Sequence, residues 1–143
     1  MKKKLLFNCL IPGIPITKKN SMQMVKNPKT GRWFPVPSKA YKDYEKSAKD
    51  YIHQGIVPDQ PINEPVQVTC LYRLPLNRDG TVPKKQPDLT NLLEATDDIL
   101  VKYKVLEDDN VSIIQSHDRS RVRYTNGTPG VMIWIYGLEH DEG

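Results

Sequence analysis

Residues Pro87–Asp109 read PDLTNLLEATDDILVKYKVLEDD, and the periodicity of this stretch organises the rest of the chain. Placed at helical intervals, Leu89, Leu92, Leu93, Thr96, Ile99, Leu100 and Tyr103 share one arc, which predicts an amphipathic helix with that arc on a core. Asp88, after Pro87 and before the apolar run, stands where an N-cap belongs. Asp88, Asn91, Ala95, Asp98 and Lys102 border the apolar arc, where a polar group is half desolvated yet reachable. Glu94 and Asp97 fall further round and are expected to face solvent. Acids therefore stand at both ends of one helix, Asp88 at its start and Asp108 with Asp109 in the turn beyond it.

Helical geometry limits how these acids combine. Asp88 and Asp98 are separated by about 15 Å along a helix, too far to share one ion, so Asp98 is expected to be a structural acceptor or a positioning group. Asp108 and Asp109 suit a solvated acidic turn, and for Asp109 to share an ion with Asp88 it would have to approach across a helix whose ends lie roughly 18 Å apart. The segment 101–108 spans at most about 26 Å when extended, so it can fold back along the helix. A second copy packed antiparallel could equally bring its acidic turn to Asp88.

Outside this stretch, residues 4–11 read as a first strand, and KNPKTGRWFPVPS as a hairpin-like or irregular loop. From the N-cap Ser38, Tyr41, Tyr44, Ala48, Tyr51 and Ile52 recur at helical spacing until Gly55. Val66, Val68, Cys70 and Tyr72 alternate with Gln67, Thr69, Leu71 and Arg73 at strand period. The polar run LPLNRDGTVPKKQP ends that strand and leads to Asp88. A further strand is expected from Val111–Ile114 through Arg119, Arg121 and Arg123. Asn126-Gly127 signals a hairpin into a returning strand, Val131–Tyr136, before a frayed tail at 139–143. The order predicts an α+β fold, a small mixed or antiparallel sheet covered by two main helices.

A chain of 143 residues suits one domain, 1–143, with a modest core. Its net charge of +4 and pI near 9.0 come with clustered Lys and Arg, the footprint of a protein that meets phosphates. Cys9 and Cys70 lie in apolar strand-like runs without ligand spacing, so buried free thiols in a reducing cytoplasm are expected. The opening MKKKLLFNCLIPG imitates a signal peptide, but Asn8 and Pro12 break its apolar run. His53, His117 and His140 are too scattered for a zinc ligand set or a catalytic triad, and His117 is expected as an exposed strand residue.

The run PDLTNLLEATDDILVKYKVLEDDNVSI resembles the signature of the RusA family of Holliday junction resolvases. In that family a Pro-Asp-Leu-Asp-Asn-Leu-like opening, a helix and a closing Asp-Asp pair carry the active site. The segments GIPITKKNS and VPSKAYKDYEKSA resemble its N-terminal half more loosely. The resemblance implies a homodimeric, Mg²⁺-dependent endonuclease, with Mn²⁺ as a substitute, that cuts four-way junctions and other branched DNA in recombination and repair. By position it makes Asp88 and Asp109 the essential metal-binding acids, with Thr90 as a further ligand and Asp108 and Asn91 in support. Thr90 stands where the best-known members carry a second Asp, and Glu94 where they carry a Lys, so the alternative is a junction-binding protein with impaired catalysis. Lys84, Lys85, Arg119, Arg121, Arg123, Lys18 and Lys19 are expected to hold DNA phosphates.

Overall fold

The computed structural model describes residues 3–18, 22–55 and 58–138. In chain order the elements are β1 (Lys3–Pro12), β2 (Met22–Lys26), β3 (Trp33–Pro37), α1 (Lys39–Gln54), β4 (Val66–Pro75), α2 (Leu89–Lys102), β5 (Ile114–Ser116), β6 (Arg121–Thr125) and β7 (Gly130–Leu138). This is the α+β class the sequence predicts. The strands form a mixed five-stranded sheet and a separate two-stranded hairpin of β2 and β3.

The sheet is centred on β4. On one side β4 pairs antiparallel with β7, which pairs antiparallel with β1; on the other it pairs parallel with β5 and then β6. Cys9, Ile133 and Cys70 lie in register across three strands, as do Ile11, Val131 and Tyr72. These rows form the face on which α1 and α2 lay Ala48, Ile52, Leu92, Ile99 and Leu100. Both cysteines are free, and burial pushes both thiols up to about 12, so they stay protonated at neutral pH. Gly130 is required where β7 meets β1, because a Cβ there would come within 2.9 Å of the Ile11 carbonyl.

Three expectations change. The Asn126-Gly127 turn does not join paired strands: β6 and β7 flank β4 on opposite sides, and the connection crosses the end of β4, where the Leu76 N–H donates to the Thr125 carbonyl at 3.1 Å. A turn signal fixes where the chain reverses, and the apolar β4 takes the place between the strands. The strand expected from Val111 through Arg123 is interrupted, since Val111 is 81% exposed in a turn and Arg119 adopts φ 67° between β5 and β6. Finally, β4 is buried on both faces as far as Tyr72, so its polar alternates Gln67 and Thr69 are internal.

The helices begin as their caps dictate. Ser38 Oγ accepts the Tyr41 N–H at 3.1 Å, opening α1. Helix α2 ends with Lys104 at φ 64°, after which the Val105 and Leu106 N–H groups both donate to the Leu100 carbonyl. The chain is thereby turned back beside its own helix. Of the predicted arc, Leu92, Thr96, Ile99 and Leu100 are buried, whereas Leu89 at the first turn stays 36% exposed.

The β2–β3 hairpin turns through Gly31 at φ 72°, with the Gly31 N–H donating to the Asn27 carbonyl. It exposes Met22, Met24, Val25, Trp33 and Phe34. Trp33, at 62% exposure, takes no part in the core of this chain.

Candidate functional site

Asp88 has the extended backbone of an N-cap, and its carbonyl accepts the Leu92 N–H at 3.1 Å, but its side chain makes no capping bond. The carboxylate at the mouth of α2 is exposed and is not used for local structure. Thr90 on the first turn is also exposed, and Asn91 is half-buried. Pro87 and Lys85 reach a second feature, a cavity of about 490 Å³ at the end of β4 that also touches Leu74, Tyr124 and Ile16. Lys84 is exposed beside it.

The return of the chain after α2 carries the second pair of acids. Asp108 Oδ1 accepts the Asp109 N–H at 2.7 Å and its Oδ2 accepts Asn110 Nδ2 at 2.9 Å, so Asp108 orders the turn and Asp109 is presented outward. Asp109 lines a cleft of about 790 Å³ together with Asp98, Lys18, Tyr41 and Glu45. The far wall is closed by the ion pair of Lys102 with Glu45 and by Tyr103 Oη donating to the Glu45 carbonyl at 3.1 Å.

Asp98 thus meets Asp109 around one cleft, although its distance from Asp88 along the helix suggested a structural acceptor or a positioning group. Burial raises the Asp98 carboxyl above its ordinary range, Lys18 pulls it down, and Asp109, Glu94 and Asp97 push it up again. The acids along this side of α2 therefore repel one another in the absence of a counter-charge. Among the described residues no three His, Cys, Asp or Glu side chains lie close enough to form a preassembled metal cage. A hard cation that keeps much of its water and needs one or two protein carboxylates suits such a donor set.

Asp97, expected to face solvent, is 7% exposed. His117 Nε2 lies 2.8 Å from Asp97 Oδ2, while Asp97 Oδ1 is buried without a partner. Burial raises the Asp97 carboxyl, and the His117 bond and charge oppose that rise. No local signal marks this pair, because its members are twenty residues apart; His117, expected as an exposed strand residue, lies just after β5 and is half-buried against Asp97. His117→Ala is expected to cost about 1–3 kcal/mol in urea denaturation, since it strands a buried carboxylate. Asp97→Asn in the same chain should recover most of that loss. With its folded pKa above the unfolded value, Asp97 destabilises the fold as pH rises through that interval. The His117→Ala deficit should therefore be smallest at acid pH, where Asp97 is protonated, and grow as Asp97 ionises.

The basic residues do not gather at one place. Lys18 is on the acidic cleft and Lys85 near the start of α2, while Lys19 lies outside the described residues. Arg121 and Arg123 project from β6 opposite Leu71 and Arg73, on the sheet face away from the helices. Arg119 joins that face from the turn and not from a strand, its carbonyl accepting from the Arg121 guanidinium at 2.9 Å.

Among the described residues no helix is long and apolar enough to cross a membrane. No curated protein matches the chain. A family model described as endodeoxyribonuclease RusA matches residues 12–136, which takes in β2, β3, both helices, β4 to β6, most of β1's partner strand β7 and every acid discussed above. The chain belongs to the RusA family of endodeoxyribonucleases.

Proposed function

We propose that this protein is a Mg²⁺-dependent endonuclease that cuts four-way junctions and other branched DNA in recombination and repair, acting in the cytoplasm as a homodimer. The observation that carries this reading is the Asp88 carboxylate, which sits at the N-terminus of α2 and is left free of the cap its backbone forms. Asp109 supports it from the other side, since the chain after α2 has already turned back beside the helix. In this reading Asp88 and Asp109 hold the ion, and Thr90 adds a neutral oxygen. Asn91, half-buried on the first turn of α2, and Asp108, which orders the turn, would keep the carboxylates in place. When bound, the ion makes a water more acidic and offsets charge on the leaving oxygen.

The chain's own cations then position the substrate. Lys84 and Lys85 meet phosphates just before Asp88, and Lys18 does so at the mouth of the acidic cleft. The dimer is supported by the hairpin arm, whose register places exposed Met22, Met24 and Trp33 on one face and exposed Val25 and Phe34 on the other, apolar side chains that a lone chain leaves in water. Crystals soaked in Mn²⁺ test the site. The expected result is an ion bound by Asp88 and Asp109, of one chain or of two; an ion held by Asp98 and Asp109 without Asp88 would overturn the assignment.

A second reading is a junction-binding protein with impaired catalysis. It is favoured by Thr90, which brings no charge to the ion, and by Glu94, whose negative charge raises the Asp97 and Asp98 carboxyls.

A further inference from the structure

The face of the sheet opposite the helices has a composition that the acidic site does not explain. None of the strands β1, β4, β5, β6 and β7 contains an Asp or Glu. The register places Trp134 beside Thr69, Tyr136 beside Gln67, and Arg121 beside Leu71 on this face. A depression of about 530 Å³ is formed there by Trp134 and Tyr136, with Lys3, Arg119 and Arg121 around it and Gln67 and Thr69 at its base.

The depression is built and held. Thr69 Oγ1 donates to the Asp118 carbonyl at 2.8 Å and accepts from Gln67 Nε2 at 3.0 Å. The Cys70 N–H donates to Ser120 Oγ at 3.0 Å. These bonds fill the gap between β5 and β6 and tie the turn that bears Arg119 to the central strand. Asp118, the acid in that turn, directs Oδ1 to the Arg119 N–H at 3.0 Å. The backbone that bears Arg119 and Arg121 is thus tied to the strand beside the two rings, and the Arg121 guanidinium donates to the Arg119 carbonyl at 2.9 Å.

We infer that this groove binds an unpaired stretch of DNA, with bases stacked on Trp134 and Tyr136 and phosphates held by Arg119, Arg121 and Lys3. Aromatic rings accept any base, and flanking cations track the backbone, which is how sequence-tolerant single-strand sites are made. A second copy of this chain is a poorer occupant. An isologous contact would press two copies of the same cationic patch together, with no acid on these strands to offset Arg121 and Arg123. The inference deepens the nuclease reading by giving its branched substrate a contact for unpaired nucleotides, separate from the acidic cleft on the helix side.

The experiment uses the full chain carrying Trp33→Phe, so that Trp134 is the remaining tryptophan, and an oligothymidylate as probe. Saturable quenching of Trp134 is expected, with affinity falling as salt rises. Trp134→Leu should weaken oligothymidylate binding, read by anisotropy, by about 5- to 150-fold, whereas Trp134→Phe keeps most of it. Arg119→Ala with Arg121→Ala should lower affinity and flatten the logarithmic salt slope by about 1.4. Cleavage of a fully paired four-way junction is read on the same variants. If folded Trp134→Leu and the double arginine variant bind oligothymidylate like the parent, the groove assignment is wrong. It is equally wrong if Trp134→Leu turns a dimer into a monomer without changing oligothymidylate affinity. A parent protein that binds oligothymidylate at Trp134 and cuts no junction would refute the nuclease reading and leave the groove standing.

Discussion

Asp109→Asn is expected to lower the rate of junction cleavage on the order of 100-fold or more, the scale lost when a group that stabilises developing charge is removed. Junction affinity should stay within about twofold, because DNA is held by cations and a carboxylate makes no favourable phosphate contact. The substitution keeps size and shape, and Asp109 is exposed, so the fold does not depend on it. Its backbone N–H still donates to Asp108 Oδ1, which keeps the turn in place. Gel-shift titration and single-turnover cleavage on the same preparation separate the two effects. Cleavage surviving at the parent's rate would remove Asp109 from the site.

Leu100→Ala is expected to cost about 2–5 kcal/mol in urea denaturation, the range for truncating a large side chain in a close-packed interior. Leu100 is fully buried in the core with Leu92, Ile99, Val105 and Leu106. Its position gives the loss a second consequence. The Leu100 carbonyl receives the N–H groups of Val105 and Leu106, the point at which the chain leaves α2 and returns toward Asp109. A cavity there should loosen residues 103–109 before the sheet, so their amides should exchange faster than those of β4. A loss under about 1 kcal/mol would mean that this corner is not close-packed.

These two substitutions sit at either end of what the sequence made readable. Helix α2 was legible because its apolar period is long and begins after a capping residue, and Leu92, Thr96, Ile99 and Leu100 are buried as that period requires. Ser38 and the strand at Val66–Tyr72 were legible for the same local reasons. Asp97 was not. Its angle on the helix predicts solvent, yet it is buried against His117, which follows β5 twenty residues later. The pairing of β6 was hidden in the same way, since Asn126-Gly127 announces a reversal but cannot announce that β4 lies between the arms. Arg119 was placed on a strand because its neighbours alternate; the polar run Ser116–Ser120 is the signal for the turn that interrupts it.

The same distinction shapes the candidate site. Spacing along a helix separates Asp88, Asp98 and Asp109 in one dimension, and the return of the chain restores Asp109 to the side of Asp98 in three. In the proposed site Thr90 brings no charge to a cation, and Glu94 adds to the repulsion around Asp98.

The most direct measurement is single-turnover incubation of an end-labelled synthetic four-way junction with the purified chain and Mg²⁺, with products and bound complex followed together. Paired nicks at the branch point, dependent on the metal, are the predicted result. Saturable binding with no cleavage in either Mg²⁺ or Mn²⁺ would contradict it, and would make this chain a member of the family that holds junctions without cutting them.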